Sequence, residues 1–200
     1  MGRPKKLRWK EGDWNVDNPG LFTVDQAKLR RLWPSYYGFR AWCRQIIANR
    51  RNDMTWRDVI VEQLWLGSIQ AAVVVSMKPG RVAAYSDMLD CVAMLGYTTE
   101  FLQDFGLREG SKLLTVNYYD EEPHKDIEFG PGKNSSWKGF LPVIADFLTK
   151  DFDRLEERKS ALPERYWLRV KELGYDYQSR RPDMWRSGRP RSMSLRLDAG

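Results

Sequence analysis

Residues 55–97 read TWRDVIVEQLWLGSIQAAVVVSMKPGRVAAYSDMLDCVAMLGY and form the most apolar stretch of an otherwise polar chain. Thr55 followed three residues later by Asp58 predicts a helix start, because a hydroxyl caps the first turn and a carboxylate complements the positive helix N-terminus. Apolar side chains then recur at the three- and four-residue spacing of one buried helical face, at Val59, Ile60 and Leu64. A helix ending near Gly67 is therefore predicted.

The next segment, residues 68–77, is apolar on nearly every side and predicts a second helix that is fully buried. Its β-branched run Val73–Val75 leaves a strand as the alternative. Lys78-Pro79-Gly80 ends the segment, because proline and glycine together favour a turn. Residues 81–95 predict a third helix, which Gly96 closes.

Two helices are predicted before this core. Thr23-Val24-Asp25-Gln26 is a capping box that opens a short helix ending at Trp33, where Pro34 breaks it. A second helix is predicted over residues 36–51. Because only a short turn separates the two, the pair is interpreted as a helix-turn-helix.

The second of these helices carries an arginine-rich face. Arg40, Arg44 and Arg51 lie on the same side of it, and arginine can form bidentate hydrogen bonds with base edges in the major groove. These three residues are predicted to bind DNA. The alternative is the solvated polar face of an ordinary amphipathic helix.

A strand pair and three more helices are predicted after the core. Residues 98–105 predict a short helix. Residues 113–119 have a β-forming composition and predict a strand, which residues 127–129 would join as a hairpin. A long helix is predicted over residues 141–159, because its second residue is a proline, which is favoured in a first turn. A last helix covers residues 163–173.

These patterns predict a mainly α protein: a helical bundle with a helix-turn-helix near the N-terminus, a small β-hairpin insertion and basic extended tails. We divide the chain into a basic arm and irregular connection over residues 1–22, a helical domain over residues 23–178 with a hairpin around 113–129, and a basic tail over residues 179–200. The longest apolar run, Ala71–Val75, is far shorter than the roughly 18 residues that a membrane span needs. No membrane contact is expected.

The net charge of +6 is concentrated at the two ends of the chain. Residues 1–10 contain five basic residues and no acidic one, and residues 179–200 contain six arginines against two aspartates. Such a distribution is typical of extended arms that bind a polyanion, with disordered, solubilising ends as the alternative. The residues predicted to contact phosphates are Arg3, Lys5, Lys6, Arg8, Arg186, Arg189 and Arg191.

The chain contains few residues of the types that bind metals or act as nucleophiles. One histidine, His124, and two isolated cysteines, Cys43 and Cys91, give no zinc site and predict reduced, buried thiols. The densest acidic cluster spans residues 120–128, and a nuclease could use such carboxylates to hold Mg²⁺. Since an acidic loop is more often simply solvated, we predict no catalytic residue, no metal and no cofactor.

Two short resemblances point to DNA. Gly2-Arg3-Pro4 and Gly188-Arg189-Pro190 resemble the core of an AT-hook, although Met1 and Ser187 stand where the full hook has arginine. The opening Met1–Lys6 and the segment Thr55–Ile60, followed by Gly67, Ala71-Ala72 and Lys78-Pro79, resemble small terminase subunits of tailed phages. That resemblance implies an alanine-rich helix after the first helix. It also implies an oligomeric DNA-binding ring that passes the genome to a separate ATPase and has no catalytic activity of its own.

The leading hypothesis from the sequence is a non-enzymatic DNA-binding protein of a phage genome-packaging type, with DNA favoured over RNA and a homo-oligomer or large assembly expected. The first alternative is a structural component of a virion or ribonucleoprotein particle, whose tails become ordered on its partners. The second is a Mg²⁺-dependent nuclease that uses the acidic 120–128 cluster. The expected location is the cytoplasm, meaning the host cytoplasm or the virion if the protein is viral.

Overall fold

The computed structural model describes residues 19–37, 56–128, 130–131 and 137–189, together with the backbone of residues 195–197. Within these residues the chain combines helices with a seven-stranded sheet. The fold is mixed α/β, so the prediction of a mainly α helical bundle is wrong. The physical reason is that the most apolar stretch of the chain forms its backbone hydrogen bonds between strands and not within helices.

The strands are β1 (Ser68–Met77), β2 (Gly80–Ser86), β3 (Cys91–Tyr97), β4 (Lys112–Asp120), β5 (Gly139–Ile144), β6 (Met184–Ser187) and β7 (Leu195–Leu197). The helices are α1 (Gln26–Leu32), α2 (Trp56–Leu66), α3 (Thr99–Asp104), α4 (Phe152–Ala161) and α5 (Glu164–Arg180), with 3-10 turns at Pro34–Tyr37 and Ala145–Phe147. The strand order in the sheet is β5-β4-β1-β2-β3-β6-β7. In the described part of the chain, no helix has the length and apolar character that crossing a bilayer requires.

Strands β1, β2 and β3 form an antiparallel meander where two helices were predicted. Val73 lies opposite Ala83, and Ala83 lies opposite Met94. β1 and β2 are buried along almost their whole length, so they lack the polar–apolar alternation of a strand with one face in water. For β1 the strand alternative was correct, and the alanine-rich segment implied by the resemblance is a strand. The helix predicted over residues 81–95 is wrong, because residues 87–90 form a turn between β2 and β3.

The strand predicted at residues 113–119 is confirmed as β4, but its predicted partner is wrong. β4 pairs with β1 on one side and with β5 on the other, and residues 127 and 128 belong to no strand. Pro142, predicted to open a long helix, lies instead in β5 opposite Asn117. Proline lacks a backbone N–H, and an edge strand such as β5 tolerates it on its unpaired side. Of the helix predicted over residues 141–159, only residues 152–159 are α-helical, as the first part of α4.

Several predicted helices are confirmed. The Asp25 carboxylate caps α1 by accepting from Lys28 N at 2.8 Å. The Thr98 hydroxyl caps α3 by accepting from Phe101 N at 3.2 Å. Helix α2 is present at residues 56–66, as predicted. The helix predicted over residues 36–51 lies outside the described residues beyond Tyr37.

Helix α5 is longer than predicted and crosses the sheet. It continues through Gly174 to Arg180. At Gly174 the helix comes so close to β1 and β2 that a Cβ atom would lie 2.7 Å from the Val75 side chain and 2.8 Å from Ala83. Glycine therefore marks a close helix–sheet contact there and not a helix end. The chain then enters the sheet as β6, in residues that the charge pattern had assigned to a basic tail.

The sheet is curled into a half-barrel, and the Arg186 side chain bridges its open side. Arg186 lies on β6, yet its Nη1 donates to Phe140 O on β5 at 2.6 Å. Its Nη2 donates to Asp126 Oδ1, also at 2.6 Å. Arg186 is 2% exposed and Asp126 is 0% exposed. One buried ion pair therefore joins the two sides of the curled sheet.

We predict that Asp126→Ala lowers the free energy of unfolding by about 3–5 kcal/mol, because it leaves a buried guanidinium without its counter-charge. The double variant Asp126→Ala plus Arg186→Met should lose clearly less than the sum of the two single losses, since it leaves no unpaired buried charge. The free energy of unfolding is measured by urea unfolding, monitored by tryptophan fluorescence, for wild type, Asp126→Ala, Arg186→Met and the double variant.

The matched control is Glu128→Ala, in the same loop. Its carboxylate pairs with Arg180 and Arg181 but is one-third exposed, so we expect a loss below about 1 kcal/mol. Equal losses in the free energy of unfolding for Asp126→Ala and Glu128→Ala would show that the buried ion pair of Arg186 does not stabilise the half-barrel more than an exposed ion pair does.

Candidate nucleic-acid interface

Nine basic side chains on the described body are already engaged by carboxylates. Lys112 contacts Glu164 at 2.7 Å, and Lys150 contacts Asp25 at 2.9 Å. The other basic residues in such ion pairs are Arg31, Arg154, Lys159, Arg169, Arg180, Arg181 and Arg186. A cation beside a carboxylate contributes little net positive potential, so these positions are poor attractors for phosphate.

Arg186 was predicted to contact phosphate, and the structure gives it a different role. Its guanidinium is buried and is shared between Asp126 and Phe140 O. A phosphate could reach it only if the half-barrel opened and the Asp126 carboxylate lost its partner. We therefore leave Arg186 out of the candidate interface.

Arg189 is exposed and lies just after a well-anchored point of the chain. Gly188 N donates to Gly96 O at 2.9 Å, and the Tyr97 hydroxyl donates to Gly188 O at 3.2 Å. A Cβ atom at Gly188 would overlap the Tyr97 ring, so a side chain there would displace this contact. The C-terminal basic residues thus begin from a fixed place beside the end of β3.

Lys78 is exposed at the same end of the sheet. It lies in the β1–β2 turn, next to Gly80, which is paired with Tyr97. Because β6 runs parallel to β3, the chain that follows β6 emerges at this end too. In the described part of the chain, neither Lys78 nor Arg189 has a carboxylate partner. They are two exposed basic positions that lie together at this end of the sheet, and we assign them to the candidate interface beside the tail.

The other predicted DNA-binding residues lie outside the described residues. These are Arg3, Lys5, Lys6, Arg8, Arg40, Arg44, Arg51 and Arg191. The arm, the arginine-rich helix and the end of the tail therefore remain predictions from the sequence.

The acidic 120–128 cluster is divided among separate contacts. Asp120 accepts from Glu122 N at 2.9 Å and lies 3.2 Å from His124 Nε2. Asp126 is buried against Arg186, whereas Glu128 pairs with arginines at the end of α5. Among the described residues there is no group of three His, Cys, Asp or Glu side chains that could hold a metal ion.

Cys91 is a buried free thiol in the described residues, and Cys43 lies outside them. Cys91 packs on the concave side of the sheet with Tyr119 and Phe140. Burial raises the pKa of the thiol to about 12, so it stays protonated near neutral pH. Because the thiolate is the reactive form, Cys91 is suited to packing and not to nucleophilic chemistry.

A row of polar side chains inside the half-barrel was not predicted. Thr115 Oγ1 donates to Asn117 Oδ1 at 2.8 Å, and Asn117 Nδ2 donates to Tyr85 O at 2.7 Å. Ser86 Oγ donates to the Tyr119 hydroxyl at 3.2 Å. The alternation of polar Thr115 and Asn117 with apolar Leu114 and Val116 in β4 was the available signal for such a row. Since these side chains bond to one another, the row ties β2 to β4 across β1 and is an internal brace of the half-barrel.

A second polar contact fastens α5 to the β2–β3 turn. The Tyr85 hydroxyl donates to Asp90 Oδ1 at 2.8 Å, and Arg169 Nη2 donates to Asp90 Oδ2 at 2.7 Å. The Arg169 guanidinium lowers the pKa of the Asp90 carboxyl, against the opposing effect of burial. Asp90 has a positive φ of 43°, a conformation that aspartate tolerates better than most side chains. This contact is structural and positions the helix.

No protein family, curated protein or solved structure matches this chain. The comparisons therefore neither support nor oppose the relationship to small terminase subunits that the sequence resemblance suggests.

The Asp90–Arg169 contact predicts a pH dependence of stability. Because the folded-state pKa of Asp90 is lowered, its contribution is complete above the unfolded-state pKa, roughly 3.9. It is lost as the pH falls through the lower folded-state pKa. Asp90→Asn should lower the unfolding free energy by about 1 kcal/mol at neutral pH, a value kept small because Arg169 is about one-third exposed to screening water.

The measurement is urea unfolding of wild type and Asp90→Asn between pH 7 and pH 3. The difference between them should be constant down to about pH 5 and should shrink below about pH 4, as the wild-type carboxyl takes up a proton. Asp183→Asn, an exposed aspartate in the turn before β6, serves as the control and should match wild type throughout. A difference for Asp90→Asn that does not change with pH would contradict the ion pair.

Proposed function

We propose that this protein is a non-enzymatic nucleic-acid-binding protein, with DNA as its preferred partner, and that its basic segments provide the phosphate contacts. The observation that carries the proposal is the separation of charge. On the described body nine basic residues are paired with carboxylates, whereas residues 1–10 contain five basic residues and no acid to pair with them. Unpaired cations release the counterions condensed on a nucleic acid, and this release drives binding.

The anchoring of the C-terminal segment supports the same proposal. Arg189 and Arg191 follow Gly188, which is held against Tyr97 and Gly96. These arginines belong to the connection between β6 and β7, and a connection fixed at both ends samples less space than a free chain and loses less entropy when it binds. Lys78 adds an exposed charge at that end of the sheet, next to where the connection begins.

The nuclease alternative receives no support from the described residues. Asp126 is buried under Arg186, and Glu128 faces Arg180 and Arg181, so these carboxylates diverge. Two-metal phosphoryl chemistry needs acidic side chains that converge on one point. We therefore do not propose catalysis at residues 120–128.

The first test is the salt dependence of binding to a 30-base-pair duplex, measured by fluorescence anisotropy. We expect affinity to fall steeply with salt. Replacing Arg3, Lys5, Lys6 and Arg8 by alanine should reduce the slope of log K against log salt by about 3 to 4, because each phosphate contact contributes about 0.9.

The matched control removes four exposed cations that the body already pairs: Arg31→Ala, Lys112→Ala, Lys150→Ala and Arg180→Ala. It changes net charge by the same amount, but its slope should stay near the wild-type value. Equal slope losses in the two proteins would mean that net charge, and not the arm, determines binding. Absence of salt-dependent binding by wild type would refute the proposed function.

The arginine-rich helix makes a separate prediction about sequence preference. After selection of a preferred duplex from a random pool, Arg40→Ala, Arg44→Ala and Arg51→Ala should each weaken binding to it by about 1–3 kcal/mol and should relax base preference. Binding to an unrelated duplex should change much less. Equal losses on both duplexes would place these arginines on phosphates, and no loss on either would remove the helix from the interface.

A further inference from the structure

Two large apolar side chains at the end of α2 are exposed on the described body. Trp65 is 45% exposed and Leu66 is 46% exposed. They are the last two residues of the helix, and successive side chains on a helix project about 100° apart. The inner side of α2 is different, because Ile60 and Leu64 are buried in the core. We call the surface formed by Trp65 and Leu66 the α2 patch.

The first described residues of the chain are fastened to this end of α2. Leu21 N donates to Trp65 O at 3.0 Å, and Gly20 N donates to Gly67 O, also at 3.0 Å. Pro19 forms an isolated bridge with the first residue of β1. Such N–H groups satisfy carbonyls that the end of a helix leaves unpaired. The chain that precedes Pro19 is therefore attached to the body beside the α2 patch.

The segment directly before this attachment contains side chains that can cover the patch. Residues 11–18 include Trp14 and Val16. Five residues separate Trp14 from Pro19, which gives the indole a reach of at most about 17 Å. Residues 38–55, which also lie outside the described residues, join α2 at its opposite end, about 14 Å away along the helix axis. Attachment and reach therefore favour residues 11–18 as the occupant of the patch.

We propose that Trp14 docks on the α2 patch and thereby holds residues 11–18 against the body. Contact of the indole with Trp65 and Leu66 removes apolar surface from water, and offset or edge-to-face contact between two aromatic rings adds to the attraction. The docking does not depend on nucleic-acid binding.

The docking has a spatial consequence for the candidate interface. The α2 patch adjoins the first residue of β1, whereas Lys78 follows its last residue. The ten residues of β1 span about 30 Å. Basic residues 1–10 would therefore begin at the end of the sheet opposite to Lys78 and Arg189.

Thiol accessibility in the full chain tests the docking. In a Cys43→Ser background, Leu66→Cys places a thiol in the patch, and mass spectrometry follows its reaction with iodoacetamide. A segment docked about nine-tenths of the time slows this reaction about tenfold, so Trp14→Ala should raise the rate at position 66 by about tenfold. The remaining Cys91 is buried and protonated, so it contributes little to the signal.

The chain offers a matched control for each side of the contact. Tyr175 is 42% exposed, close to the 46% of Leu66, but it lies on α5. The thiol of Tyr175→Cys should react at one rate with and without Trp14→Ala, which also shows that the variant remains folded. Trp9→Ala removes an indole from the basic stretch and should leave the rate at position 66 unchanged.

Three results would overturn the proposal. The first is a rate at position 66 that Trp14→Ala does not change, as expected if the patch is open or if residues 38–55 cover it. The second is an equal increase for Trp9→Ala, which would remove the specific role of Trp14. The third is protection that grows with protein concentration, which would make a second copy of the chain the occupant.

Discussion

Arg186 joins three parts of the chain that are far apart in sequence: strand β6, strand β5 through Phe140 O, and the loop residue Asp126. A buried guanidinium without partners costs several kcal/mol, so β6 cannot take its place in the sheet until the loop and β5 are in position. Formation of the half-barrel and attachment of its last strands are therefore coupled. The same contact also determines where the C-terminal segment leaves the body.

The curl explains which elements could be predicted from the sequence. Residues 71–75 are buried on both faces of the sheet. A segment with no solvent-exposed side shows no regular spacing of polar and apolar residues, so its sequence pattern cannot distinguish a strand from a helix. Only the β-branched run at residues 73–75 indicated a strand. The capped helices α1 and α3 were predictable, because a cap acts within one turn, although the cap of α1 is Asp25 and not Thr23 of the predicted capping box. Pro142 misled the prediction because a first helical turn and an edge strand both accept proline.

The same distinction between local signals and contacts that depend on the fold applies to the candidate site. The concentration of basic residues at the two ends of the chain can be read from the sequence, because it does not depend on which residues contact one another in the fold. The role of Arg186 was not visible, because its partners Asp126 and Phe140 come from segments whose proximity depends on strand order. Because of its position in the sequence, Arg186 was grouped with the arginines of the basic tail. In the structure it is buried in an ion pair, whereas Arg189, only three residues later, is exposed.

Helix α5 and the C-terminal basic segment are linked by a short ordered path. The helix ends at Arg180, Met184 N bonds to Arg181 O at 3.2 Å, and Gly188 is fixed on Gly96. Arg189 and Arg191 follow this fixed point in the chain and precede β7, which pairs back to β6. Because both ends of this connection are fixed in the sheet, binding of a polyanion by its arginines costs less conformational entropy than binding by a free tail.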